Sequence, residues 1–315
     1  MIISDKIYGE FEISEPVLVD LINSRALQRL KGIAQFGPPE EFYHQKGFMR
    51  YEHSVGVFLL LRKLGASPGE QISGLLHDAS HTAFSHVIDT VLGDPSIEDF
   101  QDKNHLERLL KSDIKPILEK YGIDIYEIAD CESFVLLECN APNLCADRID
   151  YTLRELAICE NIKLAKELAN NLMIYDNKII FKNLGLTRQF ADIYLRYNRE
   201  HWSGFEAVSR YYQLAQILKE AFLKKYLDMK DIWGEDKELI DKIYKSGDVL
   251  LITKLEAMRD KETTVRFGIL HSKKFRYVDP QILFDDKVQR LSALDKNYAD
   301  MLNFEKIKAN KGMKI

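Results

Sequence analysis

Cysteine is scarce in this 315-residue chain, and its four cysteines, at 131, 139, 145 and 159, include no CxxC pair. That argues against a zinc knuckle and predicts reduced, partly buried thiols. No run of about 18 apolar residues occurs, so no membrane-crossing helix is expected. The opening MIISDKIYGEFEISEP lacks both a basic n-region and an apolar h-region, so no export signal is expected. Blocks of like charge are missing too: the net charge of −5 is spread over intermixed acids and bases, which disfavours a dedicated nucleic-acid or polyanion binder. Internal repeats, low-complexity tracts and clear linkers are likewise absent. A soluble cytoplasmic protein is expected. With 46% apolar and 10% aromatic residues, the chain can bury a sizeable core in one large or two ordinary domains.

Helix-period patterning fills most of this chain. In PVLVDLINSRALQRLKGIAQ the apolar residues Val17, Leu18, Leu21, Ile22, Leu27, Leu30 and Ile33 form one stripe, which stops at Gly37, Pro38 and Pro39. Helices are predicted from about 54, from about 68 behind the cap signal SPGE, and over 82–92, 104–120, 132–140, 143–159, 162–172, 187–199, 204–227, 236–246 and 248–259. Two stretches read otherwise. LMIYDNKIIFKN is a small hairpin around Asp176 and Asn177, and TTVRFGILHSKKFRYVDP is rich in β-branched and aromatic residues. The predicted fold is mainly α, a helical core over 1–160 with a helical C-terminal region over 161–315 packing on it, or one continuous domain.

Against that background, residues 50–86 hold four of the eight histidines: His53, His77, His81 and His86. A single histidine on an apolar face is usually a satisfied core residue. Four in one stretch, one in a His77-Asp78 pair, point instead to a metal site whose further ligands come from other helices. Asp147 in LCADRIDYTLRE is a natural acid for it, although Asp147, Arg148, Asp150, Arg154 and Glu155 also fit a solvated salt-bridge ladder. Mixed nitrogen and oxygen ligands suit manganese, iron, zinc, nickel or cobalt better than calcium.

The ordered blocks RYEHS (50–54), LLHDASHTAFSH (75–86), NHLERLL (104–110) and DRIDYTLRE (147–155), with ALQRLKGIAQFG upstream, resemble the HD superfamily of metal-dependent phosphohydrolases. Within it they are most similar to the deoxynucleoside triphosphate triphosphohydrolase branch. The resemblance implies an HD-domain helical bundle in which His53, His77, Asp78 and Asp147 hold a divalent metal, with magnesium as a further ion for the substrate phosphates. It implies catalytic roles for His81 and His105, a supporting role for His86, phosphate contacts from Arg50, Arg148 and Tyr151, and sugar contacts from Gln35 and Glu155. A small-molecule nucleotide substrate and a homo-oligomer are the implied partners.

The chemistry suits those types independently, since cations neutralise a phosphoester and imidazole moves protons near neutral pH. The chain departs from the family's usual HDxGHxPFSH at Ala79, Ser80 and Ala83, and has Glu155 where aspartate is usual. Readings left open are a phosphatase or phosphodiesterase on another small phosphoester, and a non-catalytic nucleotide-binding protein. Trp202, Phe205, Tyr211 and Tyr212 either pack on the core or meet a partner. Lys273, Lys274 and Arg276 either reach a phosphate tail or lie solvated, and His201 and His271 carry no motif.

Overall fold

Caps and captured backbone groups, more than the apolar stripe alone, set where the first helices stop. The stripe over 17–33 is broken at Ser24, whose hydroxyl accepts from the Leu27 N–H and begins a separate Arg25–Arg29 helix after Pro16–Ile22. The Asp113 carboxylate takes the next two orphan donors, the N–H groups of Arg25 and Ala26, at 2.6 and 3.1 Å. The computed structural model describes residues 1–315 apart from 94–96, 272–274, 286 and 310. Lys273 and Lys274 thus lie outside the described residues. Among these are sixteen α-helices and three small sheets, so the predicted mainly α fold is the observed one.

Arg50–Leu64, Pro68–Leu76 and Ala146–Cys159 form the centre of the main core, and Ile162–Asn170 and Leu184–Tyr197 close over them. This core draws on residues from Ile7 to Val278, on both sides of residue 160. A second core joins Phe42, Ala83, Phe84, Val87 and Ile88 to apolar residues of Phe205–Leu223, Asp236–Lys245 and Val249–Ala257. Trp202 packs against the first core and Tyr211 against the second. No helix of the described residues is long and apolar enough to cross a membrane.

Leu172–Tyr175 and Lys178–Phe181 form the predicted hairpin, with Asp176 and Asn177 in the left-handed region at φ 48° and 54°, as a tight two-residue turn requires. It extends into a four-stranded sheet through Gln281–Phe284, paired in parallel at Phe181 and Ile282, and Lys287–Arg290. Of the stretch expected to be extended over 263–280, the described strand is only Leu270–His271, which pairs with Met313–Lys314.

Three helix expectations are corrected. The 104–120 helix is two, Phe100–Leu110 and Ile114–Lys120, with Ser112 bonding back to the Leu109 carbonyl between them. The 82–92 helix starts only at Val87, because Phe84 and Ser85 adopt φ 60° and 47°. At 132–140 there is a single 3₁₀ turn, Cys131–Ser133, because Glu70 captures the N–H groups of Leu136 and Leu137 at 2.7 and 3.0 Å.

Close helix contact depends on Gly74, since a Cβ there would overlap Leu61 Cδ1 and press on Val57 at 3.3 Å. Gly69, in the same helix, would meet only Phe134 at an ordinary 3.6 Å. Opposite signs are therefore expected from thermal unfolding. Gly69→Ala raises stability by up to about 1 kcal/mol through helix propensity. Gly74→Ala lowers it by about 1–3 kcal/mol through overpacking. Equal shifts in the two variants would contradict this account of the helix crossing.

Candidate active site

The site grows from a buried chain of charges at the crossing of Arg50–Leu64 and Ala146–Cys159. Arg154 lies one turn beyond Asp150 and binds both of its carboxylate oxygens, at 3.1 Å from Nε and 2.8 Å from Nη2, while its Nη1 reaches Asp5 at 3.0 Å. Gly56 makes room for this pair, because a Cβ there would collide with Arg154 and Asp150. Burial works against ionisation of Asp150, but Arg154 and His53 outweigh it and hold the carboxyl below its usual range. Asp150 Oδ2 therefore accepts from His53 Nδ1, 2.7 Å away, and directs the Nε2 lone pair outward.

His77 is oriented in the same manner by the backbone. Its Nδ1 lies 2.7 Å from the Gly74 carbonyl, which can only accept, so the proton sits on Nδ1 and the neutral ring presents an Nε2 lone pair. The two Nε2 atoms face each other at 3.3 Å. Asp147 Oδ1 joins them, 2.9 Å from His53 and 3.7 Å from His77. One ligand atom from each of His53, His77 and Asp147 lies within 4.8 Å of the others. Two imidazole nitrogens and an anionic oxygen converging on one point create a demand for positive charge, which a proton or a cation can meet. The same demand appears in His53: burial opposes its protonation, yet hydrogen bonds to Asp147 and Asp150 raise its pKa to about 9. Chemically and geometrically, these donors fit a divalent transition metal.

Asp78 stands at the edge of the group, Oδ1 3.6 Å from His77 and Oδ2 3.8 Å from His53. Its stronger partners are Arg50 Nη1 at 2.6 Å and His81 Nε2 at 3.2 Å. Burial resists its ionisation, and Arg50 and His77 overcome that, holding the carboxyl well below its usual range. Arg50 is itself buried and fixed by Ser85 Oγ at 2.8 Å. The segment 77–86 is a series of turns beyond the Pro68–Leu76 helix, so His77, Asp78 and His81 converge through loop geometry and not through one helix face. His81 and His86 rings meet edge to face at 5.2 Å, and His86 Nδ1 lies 3.2 Å from Asp89.

His105 is set one hydrogen bond further out: its Nδ1 is 2.8 Å from Ser80 Oγ, where the family pattern has glycine. Burial, helped by the nearby His77, lowers its pKa to about 4, so it is neutral at physiological pH. Gln101 supports this corner through the Ser80 hydroxyl and the His77 carbonyl.

Other expected residues are less directly placed. The Tyr151 hydroxyl pairs with Tyr194, and its ring centroid lies 6.3 Å from that of His53. Arg148 turns toward the preceding loop, bonding Glu138 at 2.9 Å, the carbonyls of Cys139 and Asn143, and two thiols. Gln35 keeps a buried Oε1 without a hydrogen-bond partner. Glu155 is fully buried and bonds His201 Nδ1 and Trp202 Nε1.

Sequence reasoning grouped Asp150 and Arg154 with Asp147 but left their role open, and gave His201 none. Their signal was the four-residue spacing together with Gly56 on the facing helix, which becomes readable only once the two helices are known to cross.

An HD domain family model matches residues 50–154. Over 322 residues the chain is 35% identical to the uncharacterized protein YdhJ of Bacillus subtilis, covering all of this chain and 98% of that protein. It is 30% identical over 294 residues to the metal-dependent phosphohydrolase cns2 of Cordyceps militaris, covering 90% of this chain and 85% of that one. A shorter match, 33% identical over 144 residues, relates 39% of the chain to 23% of the human deoxynucleoside triphosphate triphosphohydrolase SAMHD1. In fold it resembles the crystal structure of a phosphohydrolase from Bacteroides thetaiotaomicron, with a TM-score of 0.70 at 16% identity over 99% of this chain and 98% of that one. With 30% identity to cns2 over 90% of its length and the HD match spanning the histidine and aspartate cluster, the chain belongs to the HD-domain metal-dependent phosphohydrolases.

Proposed function

We propose that this phosphohydrolase acts on deoxynucleoside triphosphates, releasing a deoxynucleoside and triphosphate, at a metal held by His53, His77, Asp78 and Asp147. The observation that carries the reading is the meeting of the His53 and His77 Nε2 atoms with Asp147, beside the buried Arg50. A divalent cation there would supply electrostatic stabilisation of a phosphoryl oxygen and acidify an attacking water. Manganese, iron, zinc, nickel and cobalt all suit the donors, with magnesium accompanying the substrate phosphates.

The chain's own residues supply the rest. Asp150 and the Gly74 carbonyl fix the two imidazole tautomers. Arg50 holds Asp78 in place and adds positive charge for a phosphate oxygen. His81, in direct contact with Asp78, is the histidine best placed to carry the proton, and His105, held by Ser80, is the second acid-base residue. His86 supports the His81 ring edge to face. Arg148 and Tyr151 border the site as phosphate contacts. The unpartnered Gln35 Oε1 is an acceptor suited to a sugar hydroxyl, whereas Glu155 holds His201 and Trp202 and acts on recognition through them. The nucleotide preference is supported by the SAMHD1 match, whose named activity is of this kind. A homo-oligomer in the cytoplasm completes the proposal.

His77→Ala and Asp78→Ala are each expected to lower metal-dependent turnover at least about 100-fold, in line with loss of a metal-centred step, while far-ultraviolet circular dichroism stays helical. Turnover that survives both substitutions rejects the site. Asp150→Asn keeps the shape but weakens the acceptor behind His53, and a 10- to 100-fold loss of manganese affinity in equilibrium dialysis is expected.

Substrate choice is tested by supplying deoxyribonucleotides and ribonucleotides with manganese, magnesium, nickel or cobalt, and by assaying phosphate, pyrophosphate and triphosphate separately. The reading expects triphosphate from the deoxy series, and a higher KM with modestly changed kcat for Gln35→Ala. Release of monophosphate alone would redirect it to another small phosphoester.

A further inference from the structure

We propose that Cys139 and Cys145 form a redox modification site, in which a hydroperoxide joins the two thiols as a disulfide and the closure disturbs the start of the Ala146–Cys159 helix. Arg148 Nη1 lies 3.6 Å from Cys139 Sγ and 3.3 Å from Cys145 Sγ, so both sulfurs converge on one guanidinium nitrogen. Cys139 Sγ also lies 3.3 Å from the Leu144 carbonyl, the peptide group immediately before Cys145. A turn from Asn143 N–H to the Asn140 carbonyl folds the five intervening residues back on themselves.

The two thiols differ in access. Cys139 is half-buried and Cys145 fully buried, which makes the first the one a small oxidant meets. The neighbouring Cys145 thiol and the charge of Arg148 outweigh burial and draw the Cys139 thiol below its ordinary value, a change that favours the reactive thiolate. Cys131 and Cys159 lack this setting, and burial raises both, to about 12 and about 11.

In the first step the Cys139 thiolate attacks one peroxide oxygen, the O–O bond breaks, and the leaving hydroxide or alkoxide takes up a proton. Cys139 is then a sulfenic acid. The Cys145 sulfur attacks it, the S–O bond breaks, and the departing hydroxide leaves as water with the Cys145 proton. Together, two thiols are oxidised by two electrons and one hydroperoxide is reduced to water and an alcohol, or to two waters.

The consequence follows from position. A disulfide needs its sulfurs about 2.05 Å apart, closer than two thiols sharing one donor. Cys145 is the residue before the helix, Asp147 follows two residues later, and the segment in front is pinned at Leu136 and Leu137 by Glu70. The adjustment therefore falls on the loop and on the helix start that carries Asp147 and Arg148. The effect on metal rests on the proposed metal site, whereas formation of the bond does not.

The test uses the full chain with Cys131→Ser and Cys159→Ser, which leaves only this pair. Hydrogen peroxide is expected to protect both remaining thiols from alkylation and to lower the mass by two hydrogens, with dithiothreitol restoring both. Manganese affinity of the oxidised form is expected to fall at least about tenfold, a difference that Cys139→Ser on the same background abolishes. Thiols that stay open to alkylation at peroxide levels that oxidise Cys159 in the native chain overturn the proposal. So does a disulfide that leaves manganese affinity unchanged. A reduced protein that binds no manganese overturns the metal-site reading and, with it, the claimed effect on metal, while the alkylation result separately decides whether the bond forms.

Discussion

The hydrogen bond between Asp150 and His53 is the contact on which the other site features depend. It fixes which nitrogen of His53 faces the site, and it exists because Arg154, itself anchored by Asp5, keeps Asp150 ionised within a buried helix crossing. Removing one member of a buried charge pair typically costs about 3–5 kcal/mol, since the other is left unpaired. Structural integrity and ligand orientation are thus joined in the same few atoms. Gly56 belongs to this unit, although it carries no chemistry of its own.

The remaining site residues are held by the backbone as much as by side chains. His77 takes its tautomer from a helix-terminal carbonyl, and Arg29 binds the carbonyls of Ala79 and His81 at 3.0 and 2.7 Å, holding the turns between them. Ser80 shows how a departure from the family pattern is absorbed. Its hydroxyl replaces an absent side chain with a hydrogen bond to His105, which joins that histidine to the His77 turn. On the opposite side of Asp147, the Glu138 and Arg148 pair gives the loop before the helix a charged anchor.

The fold class and the residues of the converging cluster were legible because motif order and apolar period are local properties of the chain. His53, His77, Asp78, His81 and Asp147 do meet. Less legible were features created by contacts between distant segments. No local signal says that Glu70 removes the donors a 132–140 helix would need, or that Asp113 takes those of Arg25 and Ala26. The partners of Glu155 were hidden for the same reason: His201 and Trp202 lie 46 and 47 residues away along the chain. The strands Gln281–Phe284 and Lys287–Arg290 gained their place from a partner more than a hundred residues earlier.

The turn that follows His81 and precedes His86 is stitched to the C-terminal half. Ala83 N–H binds the Ile232 carbonyl at 2.8 Å, and Asp236 accepts from Phe84 at 2.7 Å and from Ala34 at 2.8 Å. During synthesis, the first half of the chain leaves the ribosome with all four proposed metal-binding residues already present. The turn at Ala83 and Phe84 has Arg29, Arg50 and Ala34 around it but lacks its remaining partners until Ile232 and Asp236 emerge. The four proposed metal-binding residues are therefore made well before the backbone partners that complete the turn between His81 and His86.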